Sequence, residues 1–436
     1  MPPSPFNPTA VRGARIARDW QVLCGDIGER RAGTPAEARA AAYIAARLEA
    51  AGCAEVRTET FPCASLRSSR VRVAARAGGR WRPVPATILA GAPGTPRVEG
   101  ELAWLEMPEN APRLRPGSLR GRVAALFGPL PTSEQHHRRL VAAAPAAVIQ
   151  IDERLPFPWL KSDGVFPHWT RTFGMPPVVT IPYTDAWRWR RDGVRRVRVE
   201  ASARLVAADS QNVIAELPGA DPRLPAILLT AHHDTQAANV GADDNASGVV
   251  SVLELARVLA PLRRRRTLRL ISFGTEEQLS VGSAAYVRAH RRAAAAAGLV
   301  VNFDSVASPL GHCELSCIGT DGLARHASGR LAARGLDVVV RREVTPFVDN
   351  FPFNWAGVPS LWFMRTNSPG GRWQHHSVHD NLDNVSVAEV VRLLRAVGPL
   401  VQELAATTRW PFAPGLPAAE RAAARRLGRE LFGLRT

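Results

Sequence analysis

The chain has 436 residues, 46% hydrophobic and 22% charged, which suits two or three domains with sizeable cores and excludes both a small disulfide scaffold and a disordered chain. Its formal net charge is +17, from 56 Lys+Arg against 39 Asp+Glu, a balance that raises nucleic acid and anionic membranes as partners. Lys161 is the one lysine, so 55 of the 56 basic residues are arginines, and with the abundant Ala and Pro this reads as GC-rich coding rather than an electrostatic footprint.

The arginine runs at 263–266 and 187–198 lack the spacing of a nucleic-acid module and read as solvated loops and faces. No apolar stretch approaches the ~18 residues of a membrane-spanning helix, so no transmembrane segment is expected. The N-terminus, MPPSPFNPTAVRGARIARDW, has no apolar region of the secretory type, which makes a cytoplasmic location the expectation. Cys24, Cys53, Cys63, Cys313 and Cys317 form no CxxC pair.

In chain order, AEARAAAYIAARLEA (36–50) puts Tyr43, Ile44 and Leu48 at helical spacing before Gly52, and predicts a helix. From about residue 66, short β-like runs follow at 71–77, 122–128, 146–151 and 176–181, with Pro and Gly between them and one helical stretch near 133–144. They predict a β-rich insertion over 66–206. Segment 152–175 carries Trp159, Phe166, Trp169 and Phe173 without a period and reads as a lid or packing arm. Beyond residue 207, apolar runs at 226–232, 267–274, 298–304 and 359–364 alternate with helical patterns at 246–260 and 283–292 and one from Ser386 to about Ala406. That alternation predicts an α/β fold, a doubly wound, mainly parallel sheet with helices on both faces. The tail from Pro414 reads as a basic amphipathic helix with Leu427, Leu431 and Leu434 on one side.

Sites in open α/β sheets form beyond the carboxyl ends of the strands, and there the polar residues are strongly biased. The strand ends read AHHDT (231–235), FGTEE (273–277) and VNFDS (301–305), with GADDNASG (241–248) and WQHHSVHDN (373–381) beside them. Convergent His, Asp and Glu without thiolate spacing indicate a divalent metal site of the zinc type. Residues i and i+2 of a strand face the same way, so His232 can be a ligand with Asp234 fixing its ring. Adjacent Glu276 and Glu277 cannot point together, which suits one to metal and the other to proton transfer. Singly, each has a plainer reading: a chance HxD, a solvated Glu pair, or Asp304 as a helix N-cap. Their joint placement at strand ends favours the metal site.

The runs AHHDT, GADDNASG, EEQLSVGSAAY (276–286), NFDS (302–305) and HSVHDN (376–381) resemble the co-catalytic di-zinc aminopeptidase family, with relatives in aminopeptidase Y, glutamate carboxypeptidase and glutaminyl cyclase. The resemblance covers about 15–65 and 207–408, including GTPAEARAAAYIAARLEAAG (33–52) and QNVIAELPG (211–219). It implies a peptidase domain from 1–65 and 207–412 and a C-terminal helix over 413–436. The insertion 66–206 is similar to a protease-associated domain, most clearly in LRGRVAALFG (119–128). The resemblance further implies two zinc ions per chain, one on His232 and Asp304, the other on Glu277 and His376, with Asp244 bridging. Glu276 would be the general base and Asp234 would orient His232.

Among His375, His376 and His379, only His376 is followed by Ser377 and by Asp380 four positions on, the family pattern. His375 stands where many relatives carry a tyrosine that polarises the scissile carbonyl, and takes that role here as an expectation. In VDNFPF (348–353), Asn350 replaces a histidine of the relatives while Asp349 still lines the site. The implied activity is aminopeptidase hydrolysis of a peptide substrate. A metallo-carboxypeptidase, a hydrolase of amino-acid derivatives, or a receptor-like binding protein of the same fold are the alternatives; no specific nucleic-acid partner is implied.

Overall fold

The computed structural model describes residues 6–106, 114–128, 133–152, 157–368 and 371–434. The chain begins with α1 (Gly13–Trp20), a π-helical turn over Gln21–Ile27 and α2 (Pro35–Ala50). Strands β1 (Ala54–Ala77), β2 (Arg80–Val84), β3 (Thr87–Ile88), β4 (Thr95–Leu105) and β5 (Val123–Phe127) come next. Then follow α3 (Glu134–Ala142), β6 (Ala147–Ile151), α4 (Pro167–Phe173), β7 (Val178–Thr180), α5 (Tyr183–Arg191) and β8 (Arg196–Leu217). The remainder alternates: β9 (Ile227–His232), α6 (Gly248–Leu259), β10 (Leu268–Phe273), α7 (Val281–Ala289), α8 (Arg291–Ala295) and β11 (Leu299–Phe303). It closes with β12 (His312–Ile318), α9 (Asp321–Ala332), β13 (Val338–Arg341), α10 (Phe351–Trp355), β14 (Ser360–Thr366), α11 (Val387–Ala406) and α12 (Ala418–Phe432).

The strands run in the order β13-β12-β14-β11-β9-β10-β8-β4-β5-β6-β7-β3. At the centre, β14, β11, β9 and β10 are mutually parallel, and such strands must be covered on both faces. Alternate residues accordingly enter two cores. Val213, Leu229, Leu270 and Val301 pack under α1, α2, α6 and α11, whereas Ile214, Leu228, Ile271 and Val300 pack with Tyr286 of α7 and Phe353 of α10. The mainly parallel, doubly covered α/β sheet is the one the alternation predicts.

Strands β1 and β8 pair antiparallel along most of their length and carry the chain out of this sheet. A separate core, whose buried members all fall between Leu66 and Ala201, gathers around parallel β4, β5, β6 and β7. Helix α12 forms two smaller clusters: Ala424 packs with Ile318 and Phe351, Leu431 packs with Phe166 and Trp169, and Trp169 Nε1 donates to the Glu430 carbonyl at 2.5 Å. Among the described residues, no helix is long and apolar enough to cross a membrane.

Three local readings need correction. The chain opens with α1 ahead of α2, because Ile16 and Trp20, one helical turn apart, are both buried. Helices α4 and α5 lie where an aperiodic segment and a solvated arginine stretch are expected; they are too short for a period, yet Trp169, Ala186 and Trp189 each bury a face. Arg266, inside the 263–266 run, is buried with its guanidinium 3.9 Å from the Trp410 ring centroid and bonded to the carbonyls of Pro225 and Thr408. Within segments 152–175 and 365–374, residues 153–156 and 369–370 lie outside the described residues.

Helix α2 begins as its sequence requires, with the Thr34 side chain accepting from Glu37 N. The Glu37 carboxylate turns inward, where it accepts from Gly33 N and Ser210 Oγ, both at 2.6 Å. Burial, reinforced by the nearby Asp234 charge, lifts its pKa from 4.5 to about 8. Between those pH values the folded chain keeps a proton that the unfolded chain has lost, so this group makes stability fall as pH rises. Denaturant unfolding of Glu37→Gln at pH 5 and pH 8 should therefore show the variant gaining on wild type at the higher pH; an unchanged difference would refute it.

Candidate metal centre

The site lies beyond the carboxyl ends of β9, β10 and β11, where His232 closes one strand and Asp304 follows another. A short buried turn over Ala242–Ser247 carries Asp244 beneath α6. Asn245 Oδ1 caps that helix by accepting from Gly248 N at 2.9 Å, and Asn245 Nδ2 donates to the Phe303 carbonyl. Gly248 allows this approach, since a Cβ there would lie 2.2 Å from the Phe303 oxygen. Thr275, Ser305 and His376 all hold left-handed φ, so non-glycine backbone strain gathers at this rim.

His232, Asp244, Glu276, Glu277, Asp304, His375 and His376 lie together there. His232 Nε2 is 3.2 Å from Asp244 Oδ1 and 3.9 Å from Asp304 Oδ2, while its Nδ1 faces Asp234 Oδ1 at 3.4 Å. His376 Nε2 is 3.0 Å from Glu277 Oε2 and 3.5 Å from Asp244 Oδ2. Asp244 thus presents one oxygen to each imidazole. Asp234 also accepts from the backbone of Glu276 at 2.9 Å and Glu277 at 3.1 Å, which aims the two side chains. Asp380 does the same for Asp243 at 2.6 Å and Asp244 at 3.0 Å.

Other predicted residues are placed as follows. His375 stacks on His376 and brings Nε2 within 3.2 Å of Asp244 Oδ2. His379 stands apart, packed on Trp159 and Trp373. Asp349 is buried close enough to raise the Glu276 pKa, whereas Asn350 bonds Asn354 and Ser360 in the scaffold. Nothing in the sequence singles out Arg372, whose Nη2 bonds Asp244 Oδ2 at 3.0 Å; one arginine among 55 carries no mark. Nor did it show that Gly128, Gln150, Asp152, Asp163 and Phe166 of the second core wall the same cavity, of about 460 Å³.

The electrostatics are those of an acid cluster short of cations. Burial pushes Glu276, Glu277 and Asp304 up, and neighbouring carboxylates add to the shift. Burial also works against Asp244, but His232, His375 and Arg372 hold it well below the usual carboxylate range. Burial would lower His376, yet Glu277 opposite raises it to about 9. His233, turned away to Ser272 at 2.9 Å, is instead pushed down to about 3 by burial.

These residues suit a metal. His232, Asp244 and Asp304, all buried, offer three ligand atoms within 4.8 Å of one another, as do Asp244, the half-buried His375 and His376. His232 Nε2 and Glu277 Oε1 are buried without a hydrogen-bond partner. A nitrogen and oxygen donor set of this kind matches a zinc-type cation.

Residues 212–401 match the family model described as Peptidase family M28. Aminopeptidase YwaD of Bacillus subtilis is 30% identical over 200 residues, 43% of this chain and 44% of that protein. Carboxypeptidase Q of Xenopus laevis is 25% identical over 224 residues, 47% of this chain and 45% of that one. The chain spans less than half the length of either curated relative. Among solved structures, a peptidase M28 precursor from Shewanella amazonensis superposes with a TM-score of 0.78 at 18% identity, covering 94% of this chain and 97% of that one. A zinc aminopeptidase from Bacillus subtilis gives 0.70 at 21%, covering 92% and 97%. Both share the fold.

One buried cation braces the approach to this site. Arg30, fully buried, donates to the carbonyls of His233, Leu23, Gly28, Val240 and Gly241 at 2.7–3.2 Å. Arg30→Ala would orphan them, and should lower unfolding free energy by about 3 kcal/mol or more in denaturant titration.

Proposed function

We propose that the chain is a zinc-dependent exopeptidase of the M28 type, and that it acts as an aminopeptidase. The observation that carries this reading is the shared Asp244 carboxylate, with one oxygen toward His232 and the other toward His376. His232 and Asp304 would hold one zinc, Glu277 and His376 a second, with Asp244 between them. Two bound zinc ions would bring the pKa of a shared water toward neutrality and polarise the scissile carbonyl.

The remaining work falls to the chain. Glu276, whose Oε1 accepts from Ser280 Oγ at 3.1 Å, is left to take a proton from the attacking water and return it to the leaving amine. Asp234 holds the His232 ring and both glutamate amides. His375 sits at the cavity wall as donor to the developing oxyanion. Residues 66–206 act as an inserted, protease-associated-like domain that closes the cavity.

A second reading has one observation in its favour. Arg372 lines the cavity, and a guanidinium suits a substrate carboxylate, as a carboxypeptidase would require. Assays of aminoacyl anilides against N-blocked peptides with free carboxyl termini separate the two, the aminopeptidase reading requiring turnover of the anilides alone.

Purified protein should carry two zinc ions by elemental analysis and lose activity to chelator. Glu276→Gln should keep the metal while kcat falls by roughly 10²–10⁴-fold, the usual worth of a general base; wild-type turnover would remove it from that role. His376→Ala should lose one zinc and His379→Ala none.

A further inference from the structure

The two candidate ligand histidines present the same arrangement. Each turns Nε2 toward Asp244 and Nδ1 outward. An imidazole that offers Nε2 to a metal keeps its proton on Nδ1, and a carboxylate that accepts this proton fixes the ring and strengthens the ligand. For His232 that carboxylate is Asp234, two residues along the same chain segment. For His376, Nδ1 is buried without a hydrogen-bond partner, and the carboxylate it faces is Asp163, with Oδ1 at 3.6 Å.

Asp163 lies on the segment between β6 and α4, within the inserted region 66–206. The 3.6 Å separation exceeds a hydrogen bond; the same Oδ1 accepts from Gly164 N at 3.1 Å, which holds the carboxylate facing His376. The Asp163 backbone is pinned where it must be. Ser162 N donates to the His376 carbonyl at 2.9 Å. Ser162 Oγ donates to Gln236 Oε1 at 3.3 Å, and Gln236 Nε2 donates to the Glu277 carbonyl at 3.0 Å. Gly164 lies so near that a Cβ there would come within 2.9 Å of the Glu277 oxygen. The segment is thus wedged between the loops that carry His376 and Glu277.

We propose that Asp163 is a positioning residue for His376, so that the inserted region supplies part of the half-site formed by His376 and Glu277; this rests on the metal reading above. The test is zinc titration of the full chain against a competing chelator, for wild type, Asp163→Ala, Asp163→Asn and Gly164→Ala. Asp163→Ala should leave one zinc as tight as in wild type and weaken the other by roughly 10–100-fold, the usual cost of losing such a partner. Asp163→Asn, which keeps an acceptor oxygen, should recover part of that loss. Gly164→Ala, which forces the segment away from Glu277, should weaken the same zinc. If wild type binds two zinc ions and Asp163→Ala binds both equally well, the inference falls while the metal reading stands. Equal weakening of both zinc ions, with a lowered melting temperature, marks a purely structural role and also overturns it. A wild-type chain that takes up no zinc defeats the metal reading itself, and this inference with it.

Discussion

Two buried carboxylates, each accepting two successive backbone N–H groups, set the geometry on which the centre depends. Asp234 clasps the amides of Glu276 and Glu277, and Asp380 clasps those of Asp243 and Asp244. Burial and the neighbouring Asp243 and Asp244 charges push the Asp380 carboxyl well up, against the pull of its two backbone bonds. Each clasp orders the turn it holds, so the next acids project from a rigid frame. Asp234 does this while facing His232, which links three of the site's side chains through one group.

Much of this was visible in the sequence, for a physical reason. Strands covered on both faces must be apolar throughout, so the first polar residues after them, His232, Glu276 and Asp304, stand out. The family pattern of Ser377 and Asp380 points to His376 rather than His379, and in the fold Asp380 is tied to the Asp243–Asp244 turn. What the sequence hid were contacts of long range. Asp163 lies in a segment with no period, and its relation to His376 exists only once two cores meet. Arg372 is indistinguishable from its many counterparts until a carboxylate is found beside it. Helix α5 was hidden because its arginines, pairing with Asp185, Asp192 and Glu106, resemble a solvated loop in composition.

The arginine excess also takes on a different meaning. Arg30, Arg266 and Arg365 are buried, with their guanidinium groups largely bonded to backbone carbonyls. Five donors in a planar fork can satisfy several carbonyls at once, which a single ammonium cannot do in the same geometry. Part of the +17 charge is therefore interior framework and unavailable to an outside polyanion, and the remainder is offset at many points by surface ion pairs of small individual worth.

Helix α12 adds a mechanical consequence. It packs Ala424 against Ile318 and Phe351 in one small cluster and Leu431 against Phe166 and Trp169 in another, and so it ties α10 to α4. Phe166 also lines the cavity, so fraying of this tie by heat or denaturant would loosen one wall of the cavity through a helix remote from the acid cluster.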